Sequence, residues 1–266
     1  MKREGVFRTG LLLLFVAFIF TDCQTRQKEK NEPASAEEAA SSTEETAAHN
    51  TLSAQEKQEG WKLLFDGKTT DGWRNFKSQE IGAAWKVEDG TLTLEVSDKE
   101  GWQAKNGGDI ITDQAYENFE LALEWKISEG GNSGIIYHVL EEDQYEYVWH
   151  TGPEMQILDD AKHPDGKIEK HRAGDLYDLI ECTSVTVNPP NQWNQVRLIS
   201  NNGQVEHWLN GQKVVAYDMN DHSWKALVEG SKFKEMPDFG SSKKGYIALQ
   251  DHGDRVWFRN IKIRSL

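Results

Sequence analysis

The sequence predicts an all-β domain built as an antiparallel sandwich, and three observations lead to this class. The run 119–127 (FELALEWKI) alternates apolar and polar side chains, as a strand with one buried face does. Asp89-Gly90 and Asn210-Gly211 each separate two alternating runs, which is typical of tight β-hairpins. The run 119–127 also lacks the three- and four-residue apolar spacing of an amphipathic helix. A β-rich domain therefore suits the sequence better than a helical bundle.

The N-terminus predicts an exported protein. Basic residues precede the apolar run Leu11–Phe20, which is too short to span a bilayer and is typical of a signal peptide. Cys23 follows in the context FTDC, which resembles a bacterial lipoprotein signal, although Asp22 stands where a small residue is usual. We predict a signal peptide over residues 1–23, lipidation of Cys23 and a lipid-anchored location in the cell envelope, in the periplasm or at the outer membrane. An exported protein with a chance cysteine is the alternative.

Residues 24–59 are rich in Glu, Ala, Ser, Thr and Lys and have almost no large apolar side chains. Such a segment cannot bury enough surface to offset its chain entropy, so we predict a disordered acidic tether. Residues 60–266 then form one domain. The formal net charge of the chain is −14, which makes nucleic acid a poor partner because no basic patch is available to neutralise phosphates.

The elements of the domain can be assigned in chain order from alternation and turn residues. The assignments are a strand at Trp61–Phe65, a hairpin around Asp89-Gly90, a long strand over 119–127, a hairpin around Asn210-Gly211, a short helix near Trp224–Val228, and two final strands meeting at the turn His252-Gly253-Asp254. The section 160–181 is long, polar and charged, as binding loops often are. A solvated excursion is the alternative for that section.

The stretch 130–159 carries the clearest functional signal. It contains two β-rich runs, and the second ends in PEMQILDD. In a strand, Met155 and Ile157 point into a core while Glu154 and Gln156 point to the opposite face. The sequence therefore predicts a polar face that is used.

Several long blocks carry a family resemblance. They are LFDGKTTDGW, ENFELALEWKISEGGNSGIIYHV, GPEMQILDD, WNQVRLI with VEHWLNGQKVV, and KGYIALQDHGDRVWFRNIKIR. Together they resemble the bacterial 3-keto-disaccharide hydrolase family, also described as 3-keto-α-glucoside 1,2-lyase/3-keto-2-hydroxy-glucal hydratase, from Trp61 to Leu266. The resemblance implies a concanavalin A-like jelly-roll sandwich of two antiparallel sheets. It also implies cleavage of 3-keto-glycosides in the cell envelope, downstream of a sugar 3-oxidoreductase.

Such a reaction needs a base near carbon 2 of the sugar, a donor or cation for the enolate oxygen, and an acid near the leaving oxygen. Glu154 is our first choice for the base. Arg172 is expected to hold the enolate or keto oxygen, and His252 is the third catalytic residue. The residues expected to bind substrate are Gln156, Gln250, Tyr137, His138, Tyr177 and Asn132. The aromatic side chains expected to stack on sugar rings are Trp102, Tyr137, Trp149 and Tyr177.

Each catalytic candidate has a structural alternative. Glu154 suits a surface carboxylate, and His252 suits a cap on the turn at Gly253. Arg172 suits a salt bridge to Asp175 or Asp178 within its own loop. The residue types that could bind a divalent metal are present in Glu154, Asp159, His163 and His252. They show no tight ligand spacing, so the sequence leaves a metal site open.

Two rival functions remain open. One is a non-catalytic carbohydrate-binding lipoprotein on the same sandwich. The other is a conventional glycoside hydrolase that uses Glu154 with Asp159 or Glu124 as its two carboxylates.

Overall fold

Strands dominate residues 49–266, the part of the chain that the computed structural model describes. The strands of this part are β1 (Lys62–Leu63), β2 (Trp73–Asn75), β3 (Trp85–Glu88), β4 (Thr91–Leu94), β5 (Lys99–Glu100), β6 (Gln103–Ala104), β7 (Ile110–Thr112), β8 (Phe119–Ile127), β9 (Asn132–Val139), β10 (Glu154–Leu158), β11 (Asn194–Asn201), β12 (Gln204–Leu209), β13 (Gln212–Asp218), β14 (Tyr246–Leu249) and β15 (Val256–Ser265). Its helices are α1 (Ala54–Gln58), α2 (His222–Glu229) and the short 3-10 helices Val148–His150, Pro164–Lys167 and Lys232–Glu235. Within these residues no helix has the length and apolar character needed to cross a membrane.

Two antiparallel sheets form a jelly-roll sandwich, which confirms the predicted fold class. Sheet A has the order β13-β12-β11-β8-β15-β4-β3, with β1 added beside β15. Sheet B has the order β10-β9-β14-β7-β2. Strands β5 and β6 form a separate two-stranded hairpin.

The main core lies between the sheets and follows the alternation of the sequence. In β8, Leu121, Leu123 and Trp125 are buried in this core, and β8 pairs with β11 on one side and β15 on the other. From sheet B, Met155 and Ile157 join the same core. The predicted central strand over 119–127 is confirmed.

The two predicted hairpin turns and the predicted short helix are also confirmed. Strands β3 and β4 pair across Asp89-Gly90, and β12 and β13 pair across Asn210-Gly211. All four turn residues have positive φ angles, between 48° and 81°. Asn, Asp and Gly tolerate that region, which is why these dipeptides form the turns.

The last two strands differ from the simple pair that the sequence indicates. Strand β14 belongs to sheet B, whereas β15 belongs to sheet A. The turn containing His252 therefore crosses from one sheet to the other at one end of the sandwich. The path is determined by the hydrogen-bond partners of the two strands, which lie in different sheets. The turn residues alone do not specify these partners.

The ordered domain begins earlier than predicted. The signal peptide, Cys23 and residues 24–48 of the tether lie outside the described residues. Residues 49–59, predicted as tether, are instead folded onto sheet A. Asn50 and Asn260 exchange two hydrogen bonds of 2.6 and 2.8 Å, and Ser53 and Glu56 form a capping box at α1. These polar contacts order a segment whose one large apolar residue is Leu52, so composition misplaced the boundary.

Candidate active site

A pocket lies on the face of sheet B that is turned away from sheet A. It has a volume of roughly 620 Å³ including its open mouth, which is within the range of small-molecule sites. Its lining residues are Trp102, Asn132, Trp149, Glu154, Gln156, Tyr177, Lys232, Phe233, Gln250 and His252. Six of the nine predicted catalytic and substrate-binding residues are among them.

The pleat of β10 places two of these residues. Glu154 pairs with Ile136 and Gln156 pairs with Gly134 of β9, and both side chains lie opposite the core residues of the same strand. The polar face predicted from PEMQILDD is confirmed. Gly134 matters here because a methyl group at that position would overlap the carboxylate of Glu154. The glycine thus leaves room for the acid to lie flat over the sheet.

Glu154 is a buried acid in a pocket that water can still enter. Only 5% of the residue is exposed, and this burial raises the pKa of its carboxyl to about 8. The positive charge of Lys232 partly opposes the rise in pKa. The amide of Gln156 lies 2.8 Å from Oε1 of Glu154, so with its nitrogen on that side it donates to the carboxylate. Such a group can exchange a proton near neutral pH.

Three amides surround the acid. The Gln156 amide also lies 3.2 Å from Oδ1 of Asn132. Gln250 is buried, and its Oε1 has no hydrogen-bond partner within the described part of the chain. A buried acceptor without a partner is expensive unless a ligand or water satisfies it. Gln250 therefore offers an acceptor for a hydroxyl group of a bound sugar.

One side of the pocket is formed by Tyr177, Lys232 and Phe233. The Lys232 ammonium lies 4.1 Å from the centre of the Tyr177 ring and 5.2 Å from that of Phe233. Lys232 is exposed as a whole residue, but partial burial of its ammonium group lowers its pKa, while the charge of Glu154 raises it. This cation was not among the predicted site residues, because nothing in the sequence KFKE distinguishes Lys232 from Lys234.

The other side of the pocket carries His252 and the aromatic rings of Trp102 and Trp149. The ring centres of His252 and Trp102 are 5.6 Å apart. Partial burial lowers the pKa of His252, and the nearby Asp254 carboxylate opposes that effect. His252 reaches the pocket because the crossing turn after β14 lies at its edge. Its predicted convergence with Glu154 and Gln250 on one surface is confirmed.

Arg172 does not reach this pocket, contrary to prediction. Its Nε donates to the carbonyl of Gly166 at 3.1 Å, and its NH1 lies 3.3 Å from Glu181. The guanidinium is thus held within its own loop, as the salt-bridge alternative anticipated, although with a different acid. Lys232 is the cation that the pocket contains instead.

Tyr137 and His138 also lie outside the pocket, between the sheets. Tyr137 has the same strand parity as Ile135, and its hydroxyl bonds His207 at 2.9 Å and Tyr217 at 2.6 Å. His138 has a φ of +56°, and this irregularity in β9 ends the alternation. Its ring turns inward, where burial lowers its pKa to about 4. The structure therefore places these two residues away from the pocket that we expected them to share with Glu154.

The predicted metal ligands do not come together as a set. Asp159 is buried, and its carboxylate accepts bonds from the backbone N–H groups of Gly130 at 2.7 Å and Ala161 at 3.2 Å. It holds the ends of β9 and β10 together and does not line the pocket. Of the four proposed ligands, Glu154 and His252 are the two that line the pocket.

A different trio has suitable donor atoms. Atoms of His163, His252 and Asp254 lie within 4.8 Å of one another, and two imidazoles with one carboxylate suit a divalent transition metal. However, Nδ1 of His163 accepts a bond from the N–H of Asp165 at 3.2 Å. The proton of a neutral ring is then on Nε2, so the ring must give up this bond or change tautomer before it can coordinate an ion.

Comparison with known proteins provides a consistent set of relatives. A family model described as the 3-keto-alpha-glucoside-1,2-lyase-like domain matches residues 60–264. A protein of Bacteroides thetaiotaomicron named 3-keto-disaccharide hydrolase is 35% identical over 229 residues, which cover 78% of this chain and 79% of that protein.

Two solved structures from Parabacteroides distasonis, both provisionally described as glycosyl hydrolases, are also similar. The first shares 36% identity with a TM-score of 0.75 and covers 82% of this chain and 100% of its own. The second shares 30% identity with a TM-score of 0.57 and covers 77% of this chain and 99% of its own.

Proposed function

The chain belongs to the 3-keto-alpha-glucoside-1,2-lyase-like family, and on that premise we propose that it cleaves 3-keto-glycosides by β-elimination followed by hydration. The observation that carries this proposal is the buried Glu154, whose pKa of about 8 suits exchange of a proton on carbon. The name of the Bacteroides thetaiotaomicron relative supports a hydrolase-like enzyme that acts on 3-keto-disaccharides.

The number of carboxylates argues against a conventional glycoside hydrolase, which needs two of them across the scissile bond. Among the described residues that line the pocket, Glu154 is the only carboxylate. Glu124 lies on sheet A, where it accepts bonds from Arg259 and Asn260. Asp159 is held by backbone N–H groups. Neither proposed second acid faces Glu154.

In the first step, the Glu154 carboxylate removes the proton from carbon 2 of the sugar. This hydrogen is acidic because the neighbouring carbon 3 is a ketone. The electrons of the C–H bond form the double bond between carbons 1 and 2 as the bond from carbon 1 to the leaving oxygen breaks. The ionised form of Glu154 is the reactive one, and its raised pKa makes it a stronger base than an ordinary carboxylate.

Negative charge develops on the carbon 3 oxygen during proton removal. Lys232 is the positively charged side chain of the pocket, and its aromatic neighbours limit its contact with water. A cation held at this place stabilises the enolate more than it stabilises the neutral ketone. Lys232 takes the role that the sequence analysis gave to Arg172.

The leaving oxygen must gain a proton, and we propose that water supplies it while His252 at the mouth of the pocket donates a hydrogen bond to this oxygen. Hydration then adds water across the same two carbons from which the leaving group and the proton were removed. Water adds its oxygen to carbon 1 of the 3-keto-2-hydroxy-glucal, and Glu154 returns a proton to carbon 2. The sum of the two steps is hydrolysis of the glycoside.

The test is to incubate the purified protein with a 3-keto-glucoside in D₂O and to follow the products by NMR. Elimination and hydration place deuterium on carbon 2 of the released 3-keto-glucose and produce the glucal transiently. Direct hydrolysis leaves carbon 2 protonated. The matched controls are free 3-keto-glucose without enzyme, to measure spontaneous exchange, and the Glu154→Gln variant. Release of sugar without label above that background would contradict the proposal.

We further propose that the protein is exported, carries a lipid on Cys23 and acts in the cell envelope on sugars oxidised by a sugar 3-oxidoreductase. The signal-like sequence and the requirement for a ketone support this proposal. Cells fed a labelled fatty acid should label the wild-type chain and not the Cys23→Ala variant. Equal labelling of both would exclude the anchor.

A further inference from the structure

The mouth of the pocket carries a tryptophan that the mechanism above does not use. Trp102 is 37% exposed, although it lines the same pocket as the buried Glu154. A single exposed aromatic ring is ordinary on a protein surface. This one is unusual because the surrounding structure holds it in place over the pocket.

Trp102 sits at the turn between β5 and β6, and a buried acid anchors this hairpin. The Asp251 carboxylate accepts a bond from the N–H of Ala104 at 3.0 Å and another from the N–H of Gly108 at 2.7 Å. It also accepts a bond from the N–H of Gly253 at 2.8 Å. The hairpin and the crossing turn are therefore tied to one side chain.

A second set of contacts fixes the same pair of segments. The ammonium of Lys99 lies 3.1 Å from Asp254, so the two acids that flank His252 both hold the hairpin. A side chain on Gly253 would come within 2.6 Å of the carbonyl oxygen of Trp102, so the glycine permits this close approach. These contacts fix the position of the hairpin that carries Trp102 relative to the turn that carries His252.

The indole belongs to a continuous aromatic wall. Its ring centre lies 5.9 Å from that of Tyr147, with an angle of 57° between the rings, and Tyr147 stacks on Trp149 at 5.0 Å with an angle of 6°. Trp149 lines the pocket as well. The Trp102 indole offers an apolar ring face next to His252, the group that we place at the leaving oxygen.

This wall lies away from the group that removes the proton. Glu154 is on β10, at the edge of sheet B, whereas His252 follows β14, two strands further. Neighbouring strands are about 4.8 Å apart, so these positions are separated by roughly 10 Å across the sheet. Tyr177, whose N–H donates to the carbonyl of Glu154, closes the opposite side. The backbone positions that carry these two side chains are therefore further apart than the width of one pyranose ring.

We propose that Trp102, backed by Tyr147, is the platform on which the departing pyranose ring of a 3-keto-disaccharide stacks. The inference rests on the proposed function. The reacting ring must lie over Glu154, so the leaving ring extends to the open mouth, from which it departs. The apolar C–H face of a pyranose packs on a flat indole, while its hydroxyl groups stay in water at the edges.

The experiment compares three reactions of the full-length protein and its Trp102→Ala variant. They are elimination from a 3-keto-disaccharide, elimination from methyl 3-keto-glucoside, and hydration of 3-keto-2-hydroxy-glucal, which has no leaving group. We expect kcat/KM to fall about tenfold for the disaccharide, as loss of one apolar ring contact implies. The other two reactions should change by less than about twofold. Trp102→Phe should recover much of the loss.

The matched control is Trp193→Ala, which removes an indole that lies against Arg259 and Lys126. It should leave all three reactions unchanged. An equal loss in all three reactions of Trp102→Ala would overturn the inference, because the hairpin would then only shape the pocket. No loss in any reaction would overturn it as well. Failure of the wild-type protein in all three would instead refute the proposed function.

Discussion

Replacing Glu154 with glutamine should remove activity and stabilise the fold at the same time. The buried carboxyl has a pKa of about 8, compared with an ordinary value of 4.5. As the pH rises from 4.5 to 7, the unfolded chain releases this proton and the folded chain retains it, so folding becomes less favourable. At about 1.4 kcal/mol per pH unit, this interval costs the folded state on the order of 3 kcal/mol.

Glutamine has nearly the same shape and no charge to bury. The Glu154→Gln variant should therefore be about 3 kcal/mol more stable than the wild type at pH 7, with a Tm higher by roughly 5–10 °C. Its stability should also lack the decline that the wild type shows as the pH rises from about 4.5 to about 8. Turnover of the variant should fall by about 10²–10⁴, the usual contribution of a positioned base.

Urea unfolding of both proteins at several pH values, followed by tryptophan fluorescence, measures the stability difference. Elimination kinetics over the same range should show kcat/KM of the wild type rising through about pH 8, because the ionised carboxyl is the base. A variant no more stable than the wild type, together with a flat wild-type pH profile, would refute the description of Glu154 as a buried titrating acid. Undiminished turnover would remove it from the mechanism.

Three further outcomes follow from the pocket. Lys232→Met should lower kcat by about 10²–10³ and move the alkaline rise in kcat/KM to higher pH, because losing the cation raises the pKa of Glu154. Lys234→Met is the control, and equal kinetics of the two variants would exclude a catalytic role for the Lys232 cation. Gly134→Ala should lower turnover at least tenfold and destabilise the fold by about 1–3 kcal/mol in urea unfolding, because the added methyl group displaces Glu154. A fully active variant would contradict the close contact between Gly134 and the Glu154 carboxylate. Arg172→Ala should keep kcat/KM within about threefold and lose under about 1 kcal/mol, whereas a large kinetic loss would restore it as a site residue.

Much of the fold could be predicted from the sequence because its signals are local. The alternation over 119–127 and the turn dipeptides Asp89-Gly90 and Asn210-Gly211 each occupy only a few consecutive residues. The parity of Glu154 against Met155 follows from the same rule, and the structure places them on opposite faces. The predictions failed where the strand alternation is interrupted or where contacts between distant residues decide the structure.

His138 is one such failure, because its positive φ turns the ring into the core. The start of the domain is another. Residues 49–59 have no apolar periodicity, and reciprocal hydrogen bonds such as those between Asn50 and Asn260 hold them on sheet A. No composition rule anticipates partners that are 210 residues apart.

The sequence by itself determined the sandwich, the family and the polar face that carries Glu154. Only the tertiary structure showed that Lys232 and Trp102 reach the same pocket and that Arg172 does not. Trp102 and Arg172 lie in turns or loops, and Lys232 begins a short 3-10 helix. Such segments are positioned by contacts with distant parts of the chain, such as the bonds to Asp251 from the Trp102 hairpin. Strand faces are set by the backbone geometry of neighbouring residues, whereas the meeting of loops depends on the whole fold.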